Sequence, residues 1–463
     1  MKSLDNRYDA VNKKIGAAVL VIAVVCMTLF LFSKEEGGSA LAEPAPHNLT
    51  ESSMDKPLSY SPVLSWNKDP EAVYYEIEFL DHRPLLLSDT QEEEDAVFRS
   101  SEVFQNHYNP PLKQFAADFL GRAPLYWRVR AMDFNGTPLT PFSELAELWT
   151  SPDRPEMDAP VPVTQLGSEE RGAVLLYPVY HWIPMSEADH YELQLFEGSP
   201  DESDSRLVAA WDSVPAEVYD SSPRYSNRDF YWRVRAMNAA GVAVSKWSSS
   251  KRFRTAPEDH WEIAVLGDSI SHGGGHYSYG PEDLEFSWLH YLDFPAINLS
   301  ESGDTIQMTL ERFDRDVLPF HPRYLLIMSG SNSLRAGEEP EVVIQDLQEM
   351  QHRCLNNGIR PVLLTLPVIN PQAIQHVFQE ETVEDWAQRF AIVNVYIRTQ
   401  VHIDMAAAFS CPDTVLPEIY ALDGLHPDVL GKRLMGGKVN AAWARVKQDA
   451  DKEMERYAAE AHR

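Results

Sequence analysis

Hydrophobic and polar positions are patterned differently in four successive stretches of the chain. From Ile15 to Phe32 no residue is charged, and as a helix the run would be about 27 Å long, close to the thickness of a bilayer core. Lys13 and Lys14 precede it, and Lys34, Glu35 and Glu36 follow. The positive-inside rule then predicts a single-pass transmembrane anchor at 15–32, a cytoplasmic tail at 1–14 and an exported remainder. The alternative is a signal peptide cleaved near Ala42, leaving a secreted protein. Residues 33–56 are rich in Gly, Ser, Ala, Pro and Glu and read as a flexible stalk.

Period-2 alternation takes over next, and it repeats. Trp66 and the strand Tyr75–Leu80 recur at one offset as Trp182 and Tyr191–Phe196. Tyr126-Trp-Arg-Val-Arg-Ala-Met132 recurs at a shorter offset as Tyr231-Trp-Arg-Val-Arg-Ala-Met237, so an intervening loop is shorter in the second copy. Strands of this kind, separated by turn residues, predict two antiparallel β-sandwich domains at 57–155 and 156–257. In the repeated strand, Trp127 and Val129 face one side and Tyr126, Arg128 and Arg130 the other. Trp66, Trp127, Trp182 and Trp232 are therefore expected in the cores rather than on a carbohydrate-binding face.

From about Pro257 strands and helices alternate. Strands are predicted at Ile263–Leu266, Ala296–Leu299, Tyr324–Met328, Pro361–Leu366 and His402–Asp404. Helices are predicted at Ile306–Val317, Pro340–Asn356 and Thr382–Thr399. In Pro340–Asn356 the residues Val343, Leu347, Met350 and Cys354 form one apolar stripe. This βαβ rhythm predicts a mostly parallel sheet covered by helices at 258–445, with ligands bound beyond the carboxyl ends of the strands. Residues 446–463 read as a charged helical tail.

Composition narrows the function. The 463 residues carry a formal net charge of −30, which argues against a nucleic-acid partner. Hydrophobic content of 44% supports folded cores. The three cysteines, Cys26, Cys354 and Cys411, form no zinc motif. Cys354 and Cys411 either pair in an exported domain or stay as two buried thiols. Oligomeric state is not legible.

Chemistry collects at the strand ends. The first strand runs into Gly267-Asp268-Ser269, the second into Asn298-Leu-Ser-Glu-Ser-Gly303, the third into Ser329-Gly330-Ser331-Asn332. Near the C-terminus stands Asp423-Gly424-Leu425-His426-Pro427. A serine needs a base to become a nucleophile, and that histidine needs a carboxylate to fix its tautomer. Asp423 and His426 are close enough for one tight turn to present both. Oxyanion donors are available from the N–H groups of Ser269 and Gly303 and from the Asn332 amide. His272, His276 and His290 also cluster near Ser269, but the run Gly273–Gly275 reads as a mobile loop, and metal binding there is not favoured. His276 is placed instead in the pocket lining.

These four blocks, in this order, resemble the SGNH or GDSL family of serine hydrolases across roughly residues 258–445. The resemblance implies a flavodoxin-like α/β/α fold, with Ser269, Asp423 and His426 as catalytic residues and Ser269, Gly303 and Asn332 as the oxyanion hole. It implies no metal and no cofactor. Ser333 departs from the family, where Asp is common after the asparagine; different local support for Asn332 is expected. The two β-sandwiches, with their turns at Asp133–Gly136 and Asn238–Gly241, look like fibronectin type III domains. The expected activity is that of a membrane-anchored extracytoplasmic serine esterase, with acetylated glycan as the expected ester substrate. A lipase or thioesterase, an acetyltransferase using the same residues, and a non-catalytic glycan-binding surface protein stand as alternatives.

Overall fold

The computed structural model describes residues 44–84, 96–167, 170–409 and 415–461. The predicted span 15–32, the tail 1–14, the cleavage position near Ala42, Cys26 and Cys411 lie outside the described residues. Among the described residues no helix is long and apolar enough to cross a membrane.

The period-2 stretches fold into two antiparallel β-units. The first contains β1 (Leu64–Ser65), β2 (Tyr74–Leu80), β3 (Ala96–Val103), β4 (His107–Tyr108), the one-turn helix α1 (Leu112–Phe115), β5 (Leu125–Met132) and β6 (Ala146–Leu148). Its sheets have the orders β3-β2-β5-β6 and β1-β4. The second contains β7 (Val161–Pro162), β8 (Val179–Ile183), β9 (His190–Glu197), β10 (Arg206–Ser213), β11 (Glu217–Tyr219), β12 (Phe230–Met237) and β13 (Lys251–Phe253). Its sheets are β10-β9-β12-β13 and β11-β8-β7.

The sequence repeat is one ladder built twice. Tyr75 pairs with Ala131 and Ile77 with Val129; in the second unit Tyr191 pairs with Ala236 and Leu193 with Val234. The four tryptophans Trp66, Trp127, Trp182 and Trp232 are at most 1% exposed, which places them in the cores as expected. On the opposite face of β5, Arg128 and Arg130 pair with Glu78 and Glu76 of β2.

The third unit is a parallel sheet of β14 (Ile263–Gly267), β15 (Ile297–Asn298), β16 (Tyr324–Met328), β17 (Arg360–Leu364) and β18 (His402–Ile403). Its helices are α2 (Ser269–His272), α3 (Ile306–Glu311), α4 (Phe313–Asp316), α5 (Ser331–Arg335), α6 (Pro340–Asn356), α7 (Pro371–Phe378), α8 (Trp386–Arg398) and α9 (Val429–Ala461). The strand order β15-β14-β16-β17-β18 is the flavodoxin-like 2-1-3-4-5 arrangement, whose switch point lies between its first and third strands, here β14 and β16. All five predicted strands are present, within two residues at each boundary. The stripe Val343, Leu347, Met350 and Cys354 on α6 is buried.

Four expectations need correction. The part of the predicted stalk 33–56 that is described is tied to the first β-unit: Leu49 N–H donates to the Ser65 carbonyl at 2.9 Å and Ser52 Oγ to the Trp149 carbonyl at 3.0 Å. The helix predicted over Ile306–Val317 is divided at Arg312, whose guanidinium turns inward. The helix α7 was not anticipated; its start is fixed by Asn370, whose side chain accepts from the N–H groups of Gln372 and Ala373. The split at 445/446 falls inside the continuous helix α9, and Val446 and Ala450 are buried in the main core. Asp451, in the part read as a tail, accepts a hydrogen bond of 2.9 Å from the Tyr324 hydroxyl.

The second β-unit also enters the α/β core. Leu176 N–H donates to the Asn298 carbonyl at 2.9 Å, and Asn298 N–H donates to the Val174 carbonyl at 3.0 Å. This segment covers the outer edge of β15, an edge that would otherwise offer free backbone groups. Leu176 and Tyr177 are at most 1% exposed and belong to the main core.

Candidate active site

The strand β14 is buried along its whole length, and the chain leaves its carboxyl end through Asp268 into α2. Asp268 caps that turn: its side chain accepts from Ile270 N–H at 3.1 Å. Ser269 is the first residue of α2, set at the edge of the sheet.

His426 arrives from the other end of the domain. Its Nε2 lies 2.9 Å from Ser269 Oγ, and its Nδ1 lies 2.8 Å from Asp423 Oδ2. The other carboxylate oxygen of Asp423 accepts from Leu425 N–H at 2.8 Å and His426 N–H at 2.7 Å. These bonds close a turn around Gly424, at φ +78°, and hold the carboxylate rigid. With Nδ1–H donated to Asp423, Nε2 carries the lone pair and faces the serine hydroxyl.

Asn332 sits on α5, after β16, across the switch point from Ser269. Its Nδ2 donates to the Asp304 carbonyl at 2.9 Å, and its Oδ1 accepts from Arg335 Nε at 3.2 Å. Both bonds fix the amide orientation, and among the described residues its second N–H has no partner. Ser333, the departure from the family pattern, serves the neighbouring loop: its Oγ accepts from Ile306 N–H at 3.0 Å. Support for Asn332 thus comes from Asp304 and Arg335. Ser269, Gly303, Asn332, Asp423 and His426 all line one cavity of about 480 Å³. Gly303 has φ +89° with open space where a Cβ would stand, so its backbone is bare to the cavity.

The sequence blocks that meet here lie within residues 265–434, which match the model of the GDSL-like Lipase/Acylhydrolase family. The C-terminal region is a GDSL-like lipase/acylhydrolase domain. The chain is also similar to the uncharacterized lipoprotein YqeF of Bacillus subtilis (strain 168), with 27% identity over 130 residues. That match covers 25% of this chain and 53% of the relative, so the chain spans about half the relative's length. Among solved structures, a GDSL-like lipase from Bacteroides thetaiotaomicron VPI-5482 is 18% identical, covers 41% of this chain and 90% of its own, and has a TM-score of 0.33. The lipase/acylhydrolase from Enterococcus faecalis is 23% identical, covers 41% and 96% respectively, and has a TM-score of 0.32.

The three histidines near Ser269 in the GDSL-like domain point to separate partners. His272 is hydrogen-bonded through Nε2 to the Tyr177 carbonyl at 2.7 Å and through Nδ1 to Ser302 Oγ at 2.8 Å. His276 reaches the Pro70 carbonyl of the first β-unit at 3.1 Å and does line the cavity. His290 contacts the Arg171 carbonyl. Burial lowers both His272 and His276 to about 4, so both are neutral at physiological pH. The glycine run expected to be a mobile loop is packed instead: a Cβ on Gly275 would meet Phe286 at 2.3 Å, and His276 N–H donates to Asp428 at 3.1 Å.

Two buried cations behind the site escaped the sequence reading. Arg312 donates to Asp304 at 2.6 Å, to the Leu299 carbonyl at 2.6 Å, to Asp316 at 3.0 Å and to the Gly267 carbonyl at 3.0 Å. It ties the exit of β14 to the loop that carries Gly303. Lys432, with no exposed surface, donates to the Ile270 carbonyl at 2.9 Å. Burial lowers its ammonium to about 8, against the opposing pull of Asp428, Asp423 and Asp268. A signal for both existed. Arg312 shares an i,i+4 face with Asp316 beside Phe313 and Val317, and Lys432 shares the apolar face of Met435 and Val439.

Proposed function

We propose that the GDSL-like domain is a serine esterase that works through an acyl-Ser269 intermediate, most fittingly on short-acyl esters of glycans. The observation that carries this reading is the hydrogen-bonded chain Ser269–His426–Asp423 opening into the cavity, with 2.9 Å and 2.8 Å links. As Ser269 Oγ attacks the ester carbonyl carbon, its proton passes to His426 Nε2 and Asp423 stabilises the imidazolium. The oxyanion forms beside the N–H groups of Ser269 and Gly303 and the free N–H of Asn332. When the tetrahedral carbon collapses, the C–O bond to the alcohol breaks and His426 returns the proton to the departing oxygen. Water, deprotonated by the same imidazole, then releases the acid and restores Ser269.

The cavity lining supports a short acyl group on a polar alcohol. Around Ser269 stand glycines, tyrosines, Ser302, Asn332, Arg335 and Glu380, with Phe378 and Leu425 as apolar members, a mixed lining that suits a short acyl group on a polar alcohol. Function outside the cytoplasm fits the run 15–32 as an anchor and the similarity to a protein named as a lipoprotein. The β-units are read as fibronectin type III-like modules on the strength of their doubled ladder.

The test is hydrolysis of p-nitrophenyl acetate and p-nitrophenyl octanoate by a form beginning at Glu43, which keeps every described residue, beside Ser269→Ala. Acetate turnover that disappears in the variant, with an unchanged circular dichroism spectrum, is the expected result. Octanoate preference shifts the substrate to acyl chains. Absence of Ser269-dependent turnover from folded protein refutes the esterase.

A further inference from the structure

Two partly exposed tyrosines stand at the cavity that holds Ser269. Tyr219 is 47% exposed and Tyr277 is 67% exposed, and both line that cavity. Tyr277 belongs to the glycine-rich loop of the GDSL-like domain. Tyr219 does not: it lies on β11 of the second β-unit. Side chains alternate along a strand, so Val218 enters that unit's own core while Glu217 and Tyr219 share the outer face. Glu217 lines the catalytic cavity too.

This outer face is turned toward the GDSL-like domain and held there. His181 is the ladder partner of Glu217, and its Nδ1 is 3.1 Å from a carboxylate oxygen of Glu282. The pairing of Leu176 with Asn298 and the bond from His272 to the Tyr177 carbonyl fix the same unit from its other side. A wall anchored at three places can position a ligand rather than merely border it.

The chemistry of the wall selects a ligand class. An exposed aromatic ring offers a flat apolar face to the C–H face of a sugar, and an adjacent carboxylate accepts from its hydroxyls. Glu217 forms no ion pair among the described residues, whereas Arg335 on the facing lip is paired with Glu380 at 2.6 Å. The excess of carboxylates disfavours an anionic polymer and suits a neutral one.

We propose that the second β-unit is part of the active site, with Tyr219 and Glu217 forming a subsite for a neutral sugar ring whose ester is presented to Ser269. This rests on the esterase reading above. It gives the second β-unit a role in substrate selection beyond that of a spacer.

The experiment measures kcat and KM for the full-length chain in detergent on O-acetylated cello-oligosaccharide and on p-nitrophenyl acetate, a probe that carries no sugar ring. The variants are Tyr219→Ala, Tyr219→Trp and Glu217→Gln. Tyr219→Ala should lower the saccharide-to-phenyl-ester ratio of kcat/KM by about tenfold, mainly through KM. Glu217→Gln should lower it roughly threefold to tenfold. Tyr219→Trp, which keeps a stacking face, should preserve the ratio. An unchanged ratio in Tyr219→Ala, or an equal fall in Tyr219→Trp, overturns the subsite. Parent protein that turns over the phenyl ester but no acetylated saccharide refutes the subsite and leaves the esterase standing. Loss of Ser269-dependent turnover on both probes removes the esterase and the subsite together.

Discussion

Replacing Arg312 with methionine removes the group that ties the two loops beside Ser269 to one another. The side chain is 5% exposed and its partners Asp304 and Asp316 are 1% and 0% exposed; when the cation is gone Asp316 keeps Arg315 and the Tyr177 hydroxyl, whereas Asp304 is left with the Thr309 hydroxyl and cannot turn to water. Breaking such a buried pair from one side costs about 3–5 kcal/mol, a large part of the roughly 5–15 kcal/mol that holds a domain folded. Protonation of the Asp304 carboxyl limits the loss, so it should be smaller at pH 5 than at pH 8. Function should suffer as well, because Arg312 holds the Gly267 and Leu299 carbonyls and Asp304, whose own carbonyl holds the Asn332 amide. Urea titration followed by circular dichroism gives the stability change, and p-nitrophenyl acetate turnover gives the functional one. Combining Arg312→Met with Asp304→Asn should recover a substantial part of the stability without restoring full turnover. A single-variant loss under about 1 kcal/mol would refute the buried-pair argument. Full turnover in a destabilised Arg312→Met would refute its positioning role.

Other expectations follow from the same geometry. Asn332→Ala should lower kcat by roughly 10²–10³ with little change in KM, the result the proposed oxyanion role requires; steady-state kinetics decide this. Gly424→Ala puts a Cβ 2.6 Å from the Asn370 carbonyl at a residue with φ +78°, so it should cost more than about 2 kcal/mol by denaturant titration and displace His426 from Ser269. Asp268 is buried and pushed up from its ordinary 3.8 to about 6, so the folded state favours its protonated form. Its contribution to stability is complete below pH 3.8 and is lost as pH rises through about 6. Asp268→Asn, neutral throughout, should therefore gain about 1–2 kcal/mol on the parent between pH 5 and pH 8 in urea titrations, and a constant difference would refute the cost of the buried charge.

Much of this protein is written in short-range pattern. Period-2 alternation in YWRVRAM put Trp127 and Trp232 in their cores and, because it occurs twice, announced two β-units of one register. The apolar stripe of α6 and the strands of the parallel sheet were legible because each is a local periodicity of burial. The hydrogen-bonded grouping of Ser269, His426 and Asp423 was legible because the chemistry proposed for it requires particular residue types at strand ends, and Asp423 and His426 are close enough in sequence for one turn to join them. The three-dimensional structure decided what depends on distant residues meeting. Arg312 carries one local signal, its i,i+4 spacing to Asp316, but the convergence of Gly267, Leu299 and Asp304 around it is what makes it a tie. The glycine run after Ser269 reads as mobile until Phe286 and Asp428 close against it. Most of all, nothing local in Glu217 or Tyr219 assigns them to the cavity that Ser269 lines. Alternation on β11 turns them away from their own core, but what they then face is set by the docking of His181 on Glu282 and by the pairing of Leu175 with Asn298 across the edge of the sheet.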